Sequence, residues 1–247
     1  MNKKYVFWQL LLHPLTKNKC EVIVMKTKNK RRKRHMIIIS IIGVLLLCIG
    51  IISLRLVYLS SVTKGESIAK YDNPKSAILV LDIQNDTMGI DQYGDTGPLM
   101  ANINRAIEYA KDSEMEIIYT KQEFKGNPLD SILSNGMYKA DSDGSELYNE
   151  LSIQSDNIFS KLRTDTFSVE HFENYLIKNK INTLYIVGAD ASACVYKTAL
   201  GGINRGYQVI ILEDSIFSLN KKMLNTMLEK YKLKGIEIST SQDFIQL

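Results

Sequence analysis

The sequence predicts a three-layer α/β fold with a mostly parallel, Rossmann-like sheet, preceded by one membrane-spanning helix. Three observations carry that reading. From about Asn73 onward, short apolar runs of strand length alternate with segments of helical spacing; strands joined through helices make right-handed crossovers and lie parallel, with both sheet faces covered. The run Leu184 to Val187 passes through Gly-Ala-Asp-Ala-Ser-Ala-Cys-Val (188–195) into the helical segment Tyr196 to Arg205, a strand-to-helix turn. Ahead of the domain, Met36 to Leu54 is nineteen residues without a charge, dominated by Ile and Leu. At 1.5 Å per residue it crosses roughly 30 Å of hydrocarbon.

Taken in order, residues Met1 to Val24 mix apolar and polar side chains without a usable period, and Met25, where a compact basic region opens, is a second candidate start. Lys26 to His35 reads Lys-Thr-Lys-Asn-Lys-Arg-Arg-Lys-Arg-His. Beside an apolar span, such a run marks the cytoplasmic flank. Residues 1–35 are therefore expected to form a cytoplasmic tail, 36–59 a signal-anchor helix, 60–73 a linker and 74–247 an extracytoplasmic domain. A cleaved signal peptide fits less well, because its apolar core is only about 7 to 15 residues and ends in small residues; Tyr58-Leu59-Ser60-Ser61-Val62 is a poor cleavage site. Cys48 lies within the apolar run behind Leu47, which does not suit a lipoprotein.

Within the domain the expected strands are Ser76 to Leu81, Glu116 to Thr120, Asn157 to Ser160, Thr183 to Val187, Gln208 to Leu212 and an edge strand Ile236 to Ile238. The expected helices are Leu99 to Lys111, Val169 to Asn179, Tyr196 to Arg205, ended by Gly206, and Asn220 to Leu233, closed by Gly235. Phe124 to Asp143, rich in Gly, Asn, Asp and Ser, reads as a long surface loop, and Ser145 to Leu151 as one or two helical turns. Gly201 and Gly202 suit close helix-to-sheet packing.

Charge is unevenly divided. Residues 1–35 hold eleven Lys/Arg against one acid, net +10, whereas beyond Arg55 there are 19 basic and 26 acidic residues, net −7. The acidic domain argues against a nucleic-acid partner, since phosphate contacts need clustered basic surface. Its single cysteine, Cys194, and single histidine, His171, exclude a disulfide framework, a thiolate zinc site and a multi-histidine metal site. No cofactor and no metal are expected.

In an open parallel sheet, ligands bind outside the carboxyl ends of the strands. Those ends lead into Asp82-Ile83-Gln84-Asn85-Asp86, Thr120-Lys121-Gln122-Glu123-Phe124, Lys161-Leu162-Arg163-Thr164-Asp165 and the Cys194 loop, so a carboxylate, a lysine and a cysteine converge on one edge. At a helix N-terminus, free N–H groups and the helix dipole favour a thiolate and can hold an oxyanion. The competing reading of Cys194 is a small buried residue packing a strand end. Asp82 competes with a simple turn-capping role, Lys161 with a solvated surface lysine, and Lys121 ends a neighbouring strand. Asp86 is expected to fix its loop through backbone N–H groups. His171, on a helix among polar neighbours, reads as a surface residue.

Leu79 to Asp86, then Lys161 with Asp165 and Phe167, then Gly188 to Val195 with Thr198 and Ala199, resemble the three signature segments of the isochorismatase-like cysteine hydrolases over roughly residues 74–240. The resemblance implies catalytic Asp82, Lys161 and Cys194 acting on the C–N bond of a small amide, carbamoyl compound or ureide through a thioester. It implies an oxyanion site at the backbone of Asp190 or Ala193 together with Cys194, and a cis peptide at Ala189–Asp190. Gln84, Thr87 and Glu123 are pocket candidates. Three departures stand out: Ala191 replaces a Thr common three positions before the cysteine, Thr87 replaces a common aromatic, and Thr120 to Pro128 lacks the metal-binding histidines of nicotinamide-hydrolysing members. Isochorismatase itself belongs to members lacking the cysteine. The expected partners are a small-molecule amide and, through the N-terminal helix, the membrane; a homo-oligomer fits a family whose members often form dimers or tetramers. The rival functions are a catalytically silent small-molecule-binding member of the same fold and a thiol-redox protein, the latter without a resolving cysteine.

Overall fold

Each run predicted as a strand becomes a strand of one parallel sheet. The computed structural model describes the backbone of residues 3–246 and the side chains of residues 24–246. The chain divides into two compact units, Met1–Arg55 and Leu56–Leu247. In the first, nearly all of helix α1 (Lys3–Ser60) is found. From Val24 to Ser60 it is long and apolar enough to cross a membrane, and its Ile and Leu side chains, such as Ile39 and Leu47, are exposed. The predicted run Met36 to Leu54 lies inside this helix.

The second unit follows the order β1 (Lys75–Leu81), α2 (Asn85–Met88), α3 (Gly97–Asp112), β2 (Glu116–Gln122), α4 (Pro128–Leu133), β3 (Ile158–Lys161), α5 (Glu170–Lys178), β4 (Ile181–Gly188), α6 (Cys194–Ile203), β5 (Gln208–Ile216), α7 (Lys221–Leu233), β6 (Glu237–Ser239) and α8 (Ser241–Phe244). The sheet order is β3-β2-β1-β4-β5-β6, all neighbours parallel. The strand order reverses between β1 and β4, which pair with Leu81 opposite Gly188. In a doubly wound sheet this reversal opens the crevice where ligands bind.

Alternation along β1 divides its side chains between two cores. Leu79 and Leu81 pack with Phe172 and Leu176 of α5, Val195 and Ala199 of α6, and Met227 and Tyr231 of α7. Ile78 and Val80 face Ile103, Ala106, Ile107 and Ala110 of α3 and Phe244 of α8. The helix residues recur at three- and four-residue spacing, one stripe per helix. A Cβ on Gly202 would come within 2.9 Å of Val209, and one on Gly201 within 2.6 Å of Asp165. Gly202 thus lets α6 sit close on the sheet, as expected, whereas Gly201 allows close approach to the segment that follows β3.

Three local expectations differ from the structure. Ser145 to Leu151 forms no helical turns beyond a 3-10 turn at Asp143–Ser145. Its backbone bonds go instead to the loop after β1, through Asn85 N–H to Glu146 O at 3.0 Å and Tyr148 N–H to Ile83 O at 2.9 Å, with a bridge between Gln84 and Leu147. The long loop after β2 contains α4, which begins at Pro128 behind an Asn127 side chain that accepts from Leu129 N–H at 2.9 Å. The stretch 60–73, expected as a linker, is docked on the domain. Thr63 donates its N–H and its hydroxyl to Asp165, each at 2.7 Å. Arg205 reaches Thr63 Oγ1 and Lys64 O, and Ile68 N–H bonds Arg205 O at 2.8 Å.

Candidate active site

Asp82 follows the last residue of β1 and is buried, at 3% exposure, with a positive φ of 52°. Short polar side chains tolerate that conformation better than most. Its backbone N–H bonds Thr120 O at the end of the neighbouring β2 pairing, and Thr120 Oγ1 donates to Asp82 Oδ1 at 2.7 Å. One carboxylate oxygen is thereby fixed and the other is turned toward β3.

Lys161 ends β3, two strands away, and its long side chain crosses β2 to reach the crevice. The ammonium is fully enclosed. It lies 2.8 Å from Asp82 Oδ2, 2.9 Å from Gln122 Oε1 and 3.3 Å from Cys194 Sγ, with Arg163 O at 3.4 Å. Burial alone would lower the Lys161 pKa, but the charges of Asp82 and Cys194 outweigh it and push the group up to about 12. Lys161 is therefore a permanent cation between an acid and a sulfur.

Cys194 is the first residue of α6, as the strand-to-helix reading expects. Burial opposes the thiolate that a helix N-terminus favours. Burial pushes the thiol well up from its ordinary value, Asp82 adds to the shift through charge and a hydrogen bond, and Lys161 only partly opposes it. Cys194 is partly exposed as a residue and lines the cavity.

The loop between β4 and α6 is built by close approach. A Cβ on Gly188, whose φ is +117°, would stand 2.2 Å from Leu81 O; only glycine lets β4 pass β1 there. The peptide Ala189–Asp190 is cis, as the resemblance implies. Ala193 N–H is engaged by Asp190 O at 3.0 Å, which removes Ala193 from the expected oxyanion donors. Among the described residues, the N–H groups of Asp190 and Cys194 are engaged in no such bond, leaving them as the donor pair. Ala191, in the place of the common Thr, is held through its backbone: its N–H bonds Phe217 O at 2.8 Å, and the buried Tyr231 hydroxyl donates to its carbonyl. Ser192 donates N–H and hydroxyl to Asp190 Oδ1.

A cavity of about 240 Å³ opens beside these groups, lined by Asp82, Thr87, Tyr93, Tyr138, Asp190 and Cys194 among others. Thr87 lines the cavity, hydrogen-bonded to Tyr138 at 3.1 Å. The other two pocket candidates are elsewhere. Gln84 is wholly buried and braces the loop, bonding Gln122 O, Ser145 O and Gln122 N–H. Glu123 pairs with Lys121 at 3.3 Å, away from the cavity. Asp86 fixes its loop by accepting Tyr138 N–H.

Sequence reasoning missed Gln122, Tyr93, Tyr138 and Leu59. Gln122 lies in a strand-end segment already singled out, and its alternation with Thr120 was the available signal. Tyr93 and Tyr138 supply the aromatic wall absent at Thr87, from segments without strand or helix periodicity. Burial pushes both phenols up, Tyr138 to about 12. Among the described residues, no cluster of three or more His, Cys, Asp or Glu side chains could hold a metal ion.

Fold and site together define a doubly wound α/β protein whose cysteine, carboxylate and lysine meet at the topological switch point. The chain belongs to the isochorismatase family: the isochorismatase domain model matches residues 76–243. Isochorismatase family protein 2A of Dictyostelium discoideum is 21% identical over 180 residues, 72% of this chain and 84% of that one. The fold is shared with a cysteine hydrolase from Pseudomonas syringae pv. phaseolicola 1448A (TM-score 0.63, 18% identity, 74% of this chain and 97% of that one). It is shared also with N-carbamoylsarcosine amidase from Thermoplasma acidophilum (TM-score 0.58, 20% identity, 68% and 96%).

Proposed function

We propose that this protein is a cysteine-dependent amidohydrolase that cleaves the C–N bond of a small amide, carbamoyl compound or ureide, anchored in the membrane by α1 with its catalytic domain on the extracytoplasmic side. The observation that carries the chemistry is the contact of one buried ammonium with both Asp82 Oδ2 and Cys194 Sγ. The family's hydrolase character and the amidase among its structural relatives support the reaction class. The exposed apolar helix and the basic run before it support the anchor and its orientation.

In this mechanism Asp82 accepts the thiol proton as Sγ attacks the substrate carbonyl carbon. The raised thiol pKa suits transfer at the moment of attack rather than a standing thiolate. The N–H groups of Asp190 and Cys194 hold the oxyanion, a contribution typically of about 3 kcal/mol per donor. Collapse expels the amine, which takes the proton from Asp82, and leaves an acyl thioester. Asp82 then removes a proton from water as it attacks the thioester, and Cys194 leaves as the thiol. Lys161 touches both reacting groups and places a positive charge beside each.

The test is ammonia release by the full chain in detergent across a panel of small amides and ureides. Cys194→Ala should abolish the Cys194-dependent activity, and Asp82→Asn should reduce it by about 10²- to 10⁴-fold. Activity unaffected by either substitution rejects the assignment.

A further inference from the structure

The last turn of α1 is part of the catalytic cavity. Leu59 lines it, with Thr164 and Leu162 beside it, and is buried at 8% exposure. Its position is fixed rather than incidental. Leu59 O accepts from Thr164 N–H at 2.9 Å and from Thr164 Oγ1 at 3.1 Å. The preceding Tyr58 ring lies under the Arg163 guanidinium at 5.1 Å, and the same guanidinium holds Ser61 O at 2.8 Å. An Arg163–Thr164 clamp therefore presses this turn against the mouth of the site.

The electrostatics of the cavity point the same way. Its lining residues include two carboxylates, Asp82 and Asp190, and no Lys or Arg side chain. The nearest cation, Lys161, offers three N–H donors to four acceptors already in place. A substrate carboxylate would find no cation among the lining residues and two like charges. Apolar walls from Leu59, Leu162, Phe124, Tyr93 and Tyr138 remain for the rest of the ligand.

We propose that Leu59, supplied by the end of the anchor helix, is a specificity-determining residue that contacts the substrate, and that the site selects neutral amides bearing a small apolar substituent over anionic ones. This deepens the proposed function and rests on Cys194 as the nucleophile.

Alkylation of Cys194 tests it without requiring the natural substrate. Iodoacetamide, N-butyl iodoacetamide and iodoacetate each form a bond from Sγ to the methylene carbon as the carbon–iodine bond breaks; iodide departs and the thiol proton passes to Asp82. Rates on the full chain in detergent are followed at Cys194 by peptide mass, which separates it from Cys20 and Cys48. The neutral reagents should outpace iodoacetate by at least about tenfold more than they do with a free thiol such as glutathione. Leu59→Ala should lower the N-butyl to unsubstituted rate ratio by about tenfold, the order expected for losing one apolar side-chain contact, and Leu59→Met should keep the ratio near the parent value. A ratio unmoved by Leu59→Ala, or iodoacetate reacting as fast as iodoacetamide, overturns the inference. Failure of the underlying reading looks different: Cys194 would resist every reagent, or amide hydrolysis would persist in Cys194→Ala.

Discussion

Lys161 Nζ and Asp82 Oδ2 lie 2.8 Å apart with both side chains almost wholly shielded from water. A buried pair of this kind contributes little net stability, but removing one partner strands the other charge. Lys161→Met is therefore expected to destabilise the domain by about 3–5 kcal/mol and to abolish turnover. Adding Asp82→Asn to that variant should recover much of the stability and none of the activity. Thermal melts of the two variants beside the parent decide this; a single variant as stable as the double would show that leaving the Asp82 carboxylate without Lys161 carries no such cost.

Because the Cys194 thiol is pushed up and stands against Asp82, its reactivity should not follow an ordinary thiol titration. A free thiol below its pKa, about 8.5, reacts tenfold faster per pH unit. With Asp82 taking the proton during attack, the iodoacetamide rate at Cys194 should be nearly flat from about pH 6 to 8. Asp82→Asn should restore a steep rise with pH and slow the reaction at pH 7. A steep rise in the parent chain would remove Asp82 from the role of base.

Alkaline pH should weaken the fold through the same groups. The folded Lys161 pKa is raised from 10.5 to about 12 and that of Tyr138 from 10.0 to about 12. In each case the folded state holds its proton more tightly than the unfolded chain. The associated stability is complete below about pH 10 and is lost as pH rises to about 12. Melting temperature should fall through that window, and less steeply in Lys161→Met.

Gly188→Ala tests the loop's geometry. The added Cβ meets the backbone of Leu81, at a φ that L-residues rarely adopt. A loss of about 3 kcal/mol or more is expected, with loss of activity because Asp82 and the Cys194 loop hang from the two strands in contact. A stable, active variant would show that β1 and β4 can separate there at little cost.

The alternation of apolar runs with helical segments determined the layers and strands, because burying both faces of a parallel sheet leaves little choice of pattern. Asp82, Lys161 and Cys194 were legible for the same reason: each leaves the carboxyl end of a strand, and doubly wound sheets place those ends together. The meeting itself was not. Lys161 reaches Cys194 only because β3 lies two places from β1 and its side chain spans β2, a matter of strand order that sequence spacing does not encode.

The sequence by itself determined the apolar helix, the parallel α/β class and the three residue types at the sheet's rim. Tertiary structure alone decided that Ala193 is spent on a turn bond, that Gln84 braces while Tyr93 and Tyr138 line, and that Leu59, the last residue of the expected signal-anchor helix, lines the cavity. Periodicity reports which residues leave water, since burial acts on every residue of an element. Partnership between loops depends on a few long-range contacts, such as Thr164 with Leu59 across 105 residues, and leaves no period to read.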